Sequence, residues 1–403
     1  MKTIPHKTER IHSLDSLRAI MMLLGLVIHS AITYGTIEYG TSWPIKDPET
    51  THLSNDIIVI FIHAFRMQIF FLVAGFFGAM LFYERKPLKM IKNRTSRIVF
   101  PFIVFLLLLW PTITFAFNYT LGIYAGNTNA LADTIATFSN FNIFIPQVTY
   151  HLWFLYYLAL ITFVSVIVGL IFNKLPITSN RVSTAFNYVF EKPVLRVFVF
   201  AGLTCIVYFI MGTSRLETSF SLIPDFDTFF YYFFFYSVGW VLFKSKHLLD
   251  KMMRLDWICT ILGLILFSIY VLISSAFTYE IIIIIKSLMI WLFIFGISGL
   301  FIRYGSNHSL RMRYISDSSY WVYLIHLTFT AIIPSFIVDW PIHATIKFLI
   351  VLISTTAICY VTYHYFVRGT FIGKFLNGRT YSRKLSDIKK TEELNKLKTV
   401  LDK

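Results

Sequence analysis

Ten long apolar runs separated by polar and basic segments set the pattern of this chain. They fall near residues 17–36, 57–83, 98–117, 152–173, 194–213, 227–243, 257–277, 281–302, 317–338 and 343–366. About 20 residues at a helical rise of 1.5 Å cross a hydrocarbon core of about 30 Å. Lipid offers no water to unpaired backbone groups, so such runs read as transmembrane helices. The expected fold is therefore an all-α, polytopic integral membrane helix bundle of about ten transmembrane helices. Residues 1–366 would form one transmembrane domain and 367–403 a basic cytoplasmic tail, a solvated or membrane-surface helix.

Inside the first run the pattern changes. In SLDSLRAIMMLLGLVIHS, residues 13–30, a helix places Asp15, Arg18, Met22, Gly25 and His29 along one stripe at spacings of three and four. Arg18 and His29 point the same way about 16.5 Å apart along the axis, which puts Arg18 near a membrane edge and His29 near mid-depth. In the second run His63 and Arg66 are one turn apart at comparable depth, with Gln68 below them and Gly75 and Gly78 permitting close helix approach. In the ninth, His326 sits about 13.5 Å above Asp317. His151 and Trp153 mark the outer end of the fourth run.

Composition agrees with the spans: 56% of the 403 residues are hydrophobic and only 14% charged, against about 25% in soluble domains. No cleavable leader is expected, because the first dozen residues are polar and the first apolar run is of full spanning length. Cys205, Cys259 and Cys359 all lie within apolar runs, so neither a disulfide framework nor a metal cluster is indicated. The net charge of +15 is a matter of topology: of 36 Lys and Arg, 30 lie in alternate loops and the two ends. The opposite side carries Lys46, Arg215 and, at a span edge, Lys347. By the positive-inside rule both termini are cytoplasmic, and no nucleic-acid partner is needed to explain the charge.

Ionisable groups at mid-depth are functional candidates by default. Packing is the bland alternative for each, and Asp56 or Glu38 could pair with Arg66. Taken together, His29, His63, Arg66 and His326 on three spans imply a polar cavity. Without a Cys or Ser nucleophile motif, its chemistry would be general base catalysis on a hydroxyl acceptor. Burial disfavours charged forms, which suits a histidine base. Arg66 could then stabilise the oxyanion of a tetrahedral intermediate. Six inner-loop cations include Lys92 and the pair Arg94 and Arg97, one turn apart, which serve either as membrane anchors or as a fork for phosphates. The nearly neutral outer loop 118–150, which has no Lys or Arg and carries Asn118, Asn127, Asn129, Asn140 and Asn142, suits sugars but also reads as a plain loop. Such an arrangement describes acyl transfer across a membrane; a ten-span carrier or a non-catalytic envelope subunit are the alternatives.

These residues resemble the membrane acyltransferases of the acyltransferase-3 family. The R-x10-H signature is Arg18 to His29, and the R-x-x-R that follows is Arg94 to Arg97, ahead of Pro101; FRMQIFF, HLWFL and YLIH are also similar. LDSLRAIMMLLGLVIH, FIHAFRMQIFF, RKPLK and TYHLWFL resemble most closely members that succinylate periplasmic glucans. The likeness covers roughly 14–104, with islands near 151–156 and 316–326. It implies acyl-CoA, either succinyl-CoA or acetyl-CoA, as donor, His29 as base, Arg18 as its motif partner and the inner arginines as donor contacts. The expected partners are acyl-CoA, an extracytoplasmic glycan and the bilayer of the inner membrane, with a homo-oligomer as an option. Ala74 stands where the family often has Ser, and Thr328 where it often has Pro. Since the family also acetylates lipopolysaccharide, capsule and other envelope sugars, those remain alternative acceptors.

Overall fold

The computed structural model describes residues 12–214, 219–307, 309–383 and 386, and every regular element among them is helical. The basic lead before residue 12, Arg215 and the rest of the tail lie outside the described residues. In chain order the helices are α1 (His12–Ala31), α2 (Leu53–His63), α3 (Arg66–Arg85), α4 (Pro87–Arg94), α5 (Phe100–Tyr124), α6 (Ala130–Thr137), α7 (Trp153–Lys174) and α8 (Pro176–Glu191). Then come α9 (Pro193–Met211), α10 (Phe226–Lys244), α11 (Asp256–Ile273), α12 (Tyr279–Gly305), α13 (Leu310–Ile332), α14 (Ala344–Thr362) and α15 (Phe371–Asn377).

Nine helical stretches among the described residues are long and apolar enough to cross a membrane, and they match nine of the ten expected runs. The remaining run forms α13, whose 23 residues suffice in length. Its first half, with Arg311, Arg313, Ser316, Asp317, Ser318 and Ser319, is too polar to qualify on composition. The second run is a broken helix: α2 ends at His63 and α3 starts at Arg66, with Phe65 at φ −142° between them. His63 and Arg66 are thus not on one continuous turn. The loops also hold more structure than their polarity suggests. α4 and α8 are such loop helices, and each starts with a proline in the first turn, where the missing N–H and fixed φ favour a new helix.

The chain divides into two compact units, the first comprising the chain up to Met21, Phe61–Thr95 and Trp153–Asn307. Its most intimate packing is α3 on α10. A Cβ on Gly75 would fall 1.9 Å from the Tyr236 carbonyl oxygen, and one on Gly239 would fall 1.8 Å from that of Leu72. Each helix thus supplies the gap that the other's backbone fills, the small-residue packing that lipid-embedded helices favour.

The second unit comprises Met22–Ile60, Ser96–Leu152 and the chain from His308 onward. Here α13 packs between α5 and α14. Thr120 Oγ1 donates to the Ala331 carbonyl at 2.7 Å and Trp321 Nε1 to Thr362 Oγ1 at 3.0 Å. An ion pair lies in its interior. Lys347 Nζ is 3.0 Å from Asp47 Oδ2, both side chains are 0% exposed, and the ammonium also donates to the Val338 carbonyl at 2.7 Å.

Candidate active site

The second unit gathers three histidines from three parts of the chain. His29 arrives on the last turn of α1, His326 from the C-terminal third of α13, and His151 from the turn that precedes α7. The His29 and His326 ring centroids are 5.3 Å apart, and those of His151 and His326 are 5.1 Å apart. Trp43 stacks on His29 at 5.2 Å, and Phe117 lies edge-on to the indole at 5.3 Å. His29 is half-buried, whereas His151 and His326 are buried.

Hydrogen bonds fix which nitrogens carry protons. His326 Nδ1 lies 2.7 Å from the Tyr323 carbonyl and 3.1 Å from that of Val322. A carbonyl can only accept, so Nδ1 is the donor and the neutral ring keeps its basic lone pair on Nε2. His151 Nε2 likewise donates to the Leu324 carbonyl at 2.9 Å, which leaves Nδ1 as the basic nitrogen. The Tyr323 hydroxyl donates back to the His151 carbonyl at 2.6 Å. Tyr150, just before His151, is held at φ +45°, a conformation that costs a residue with a Cβ about 1–3 kcal/mol and clusters at functional sites.

Trp43 and the polar loop that carries it are the part that periodicity did not reveal. Trp43 Nε1 donates to Thr33 Oγ1 at 2.9 Å and the Asp47 amide to the Thr33 carbonyl at 3.0 Å. Asp47 Oδ1 accepts from the amides of Glu49 and Thr50, both at 2.9 Å, and Lys347 holds the other oxygen. The Lys347–Asp47 pair thus fixes the loop that lays an indole on the imidazole. Asp56 is similarly used by the chain itself, accepting from Thr36 and Ile37, while Glu38 lies 3.9 Å from Lys46.

The remaining residues singled out by sequence lie mostly in the first unit. Arg18 pairs with Asp15 at 3.4 Å and lies 5.6 Å over the Phe77 ring. Arg66 Nε donates to the Met21 carbonyl at 2.9 Å. Gln68 donates to the Tyr231 hydroxyl at 3.1 Å, which meets Tyr208 at 2.9 Å. Trp153 packs at 5.5 Å from Tyr232, and His63 and Lys92 are exposed. Arg94 Nε and Nη2 are buried without a hydrogen-bond partner, within charge range of Arg18 and the Tyr236 hydroxyl. Arg97, within the π turn Thr95–Val99 and in the second unit, donates to the Leu376 carbonyl at 3.3 Å. In the loop 118–150, Asn127 and Asn140 accept from amides two residues ahead, and Asn127 also donates to Asp133 at 2.8 Å. Among the described residues no group of three or more His, Cys, Asp or Glu is placed to hold a metal ion.

Comparison with known proteins supplies the chemical context. A family model described as "Acyltransferase domain", that of the acyltransferase-3 family, matches residues 11–364. The chain is 27% identical over 393 residues to "Glucans biosynthesis protein C" of Salmonella paratyphi B, with 94% of this chain and 97% of the relative covered. The proteins of that name from Salmonella dublin and Salmonella enteritidis give the same figures. No solved structure matches.

Proposed function

This chain belongs to the acyltransferase-3 family, and we propose that it moves a succinyl or acetyl group from cytoplasmic acyl-CoA to a hydroxyl of an extracytoplasmic glycan. In this reading both termini face the cytoplasm across the inner membrane. Succinylation of a periplasmic glucan is the version favoured by the relatives named for glucan biosynthesis; lipopolysaccharide or capsule acetylation is the alternative.

The observation that carries the proposal is the His29 imidazole stacked on Trp43 with the His326 ring 5.3 Å away. In the proposed step His29 takes the proton of the acceptor hydroxyl as its oxygen attacks the thioester carbonyl. The new C–O bond forms, the C–S bond breaks, and the proton passes from His29 to the departing thiolate, so that free CoA leaves. Stacking on Trp43 fixes the plane of the ring, which a base must have before the substrate arrives. His326, with Nε2 as its basic nitrogen, is the adjacent ring able to share that proton. Arg18 is the motif partner of His29 on the same helix, and Arg97 a donor contact.

The decisive measurement supplies succinyl-CoA and acetyl-CoA separately to purified protein with a glucan acceptor and reads O-acyl ester by mass spectrometry. Transfer from one or both is expected, falling about 10²–10⁴-fold in His29→Ala, the range typical of a general base. Full transfer by a folded His29→Ala protein would remove the base assignment. A carrier shares one feature with this chain, the broken helix at Ala64–Phe65; glycan uptake by proteoliposomes without any thioester would favour that reading.

A further inference from the structure

The chain beyond α14 folds back onto the second unit. Its amide and side-chain bonds are specific: Tyr381 N donates to the Arg368 carbonyl at 3.0 Å, and Arg368 Nε donates to the Ser382 carbonyl at 2.7 Å. Asn377 Nδ2 donates to the Asp317 carbonyl at 3.1 Å, and Arg383 Nη2 to that of Tyr365 at 2.9 Å. Gly378 turns the strap with φ +70°, and Arg97 Nη2 lies 1.3 Å from where a Cβ there would be. Only a glycine combines that left-handed turn with so close an approach.

The result is a ring of cations around one aromatic side chain. The Cζ atoms of Arg368 and Arg379 lie 5.5 and 4.9 Å from the centre of the Tyr381 ring, and Arg97 is within charge range of both Tyr381 and Arg379. Arg379 Nε donates to the Tyr381 hydroxyl at 2.8 Å. Among the described residues the carboxylate in range of Tyr381 is Asp317, which Arg313 already meets at 3.9 Å. Arg368 is 0% exposed, and beyond its Nε bond the guanidinium faces only the buried Tyr363 hydroxyl. Burial, followed by the Asp317 charge, pushes the Tyr381 hydroxyl above its ordinary pKa, so it stays protonated, with Asp317 as its acceptor in this structure.

Three guanidinia brought together, one of them buried with its Nη donors facing only a hydroxyl, carry more positive charge than the Asp317 carboxylate offsets. A phosphate group answers both faults, because its oxygens accept forked guanidinium bonds and its charge offsets the repulsion. We propose that Arg97, Arg368, Arg379 and Tyr381 form a binding site for the phosphate groups of a ligand. The site has two sources of such phosphate, a soluble nucleotide or an anionic lipid headgroup. Assigning it to the phosphates of the acyl-CoA donor rests on the function proposed above, whereas the phosphate site itself does not.

The test measures thermal stabilisation and affinity of the purified full chain for CoA, dephospho-CoA and pantetheine, and separately in nanodiscs of phosphatidylglycerol or phosphatidylcholine. Arg379→Gln is the main variant, since that side chain is exposed; Arg368→Lys, which keeps the charge but loses the fork, is the second. CoA binding that weakens about tenfold or more in Arg379→Gln, with pantetheine binding weakly to both proteins, supports the site and its link to the donor. Stabilisation by phosphatidylglycerol alone, lost in the same variant, supports a phosphate site and severs that link. CoA binding without any acyl transfer would sink the proposed function while leaving the site intact. Equal binding of every probe by wild type and both variants overturns the proposal.

Discussion

Replacing Lys347 by Met should be the most damaging single change away from the histidines. At 3.0 Å and an effective dielectric of about 20, the Lys347–Asp47 attraction is about 5 kcal/mol. Removing both ions from water costs several kcal/mol each, so the pair contributes little net. Removing only one partner is different. Asp47 would remain fully buried, still bonded to the amides of Glu49 and Thr50 but without its counter-ion. Breaking a buried pair in this way costs about 3–5 kcal/mol. The double variant Asp47→Asn, Lys347→Met removes the stranded charge and keeps an acceptor for those amides, so it should recover most of the loss. The assay is denaturant or thermal unfolding of the three variants in one detergent, followed by acyl transfer. A Lys347→Met protein within about 0.5 kcal/mol of wild type, or a double variant no better than the single, would refute the reasoning. Acyl transfer should fall with the single variant even below its unfolding midpoint, because the loop that carries Trp43 loses its anchor.

Two further outcomes follow from the geometry. Gly239→Val puts a side chain where the Leu72 carbonyl lies, and forcing α3 and α10 apart should destabilise by at least the 1–3 kcal/mol typical of overpacking, read as a lower unfolding midpoint; an unchanged midpoint would contradict the packing. His326→Gln keeps a polar side chain of similar size but has no basic nitrogen, so kcat should fall about 10–100-fold with KM little changed; full activity would exclude His326 from proton handling.

Much of the architecture was legible because polar residues stand out against apolar runs. The spans follow from run length, and His29, His151 and His326 were conspicuous for the same reason. The acyltransferase-3 resemblance carried by Arg18, His29, Arg94 and Arg97 agrees with the family match. Other features had no periodic signature. Trp43 lies in an irregular loop, so nothing in its neighbourhood marks it as the ring that meets His29. Lys347 looked like an interfacial cation near a span end, and its partner Asp47 is 300 residues away. The break between α2 and α3 contains neither Gly nor Pro, so the run FIHAFRMQIFF reads as continuous helix. The tail looked solvated because it is charged, yet its described part is bonded back to Arg368 and Tyr365.

The clamp on the Trp43 loop limits how that loop can be exchanged. A chimera that imports residues 35–52 from a relative brings a new aromatic face to the imidazole, but it also brings whatever stands at position 47. Unless that residue matches the ammonium on α14, the graft leaves a lone lysine in a dry interior. Loop and α14 have to be exchanged together, as one module.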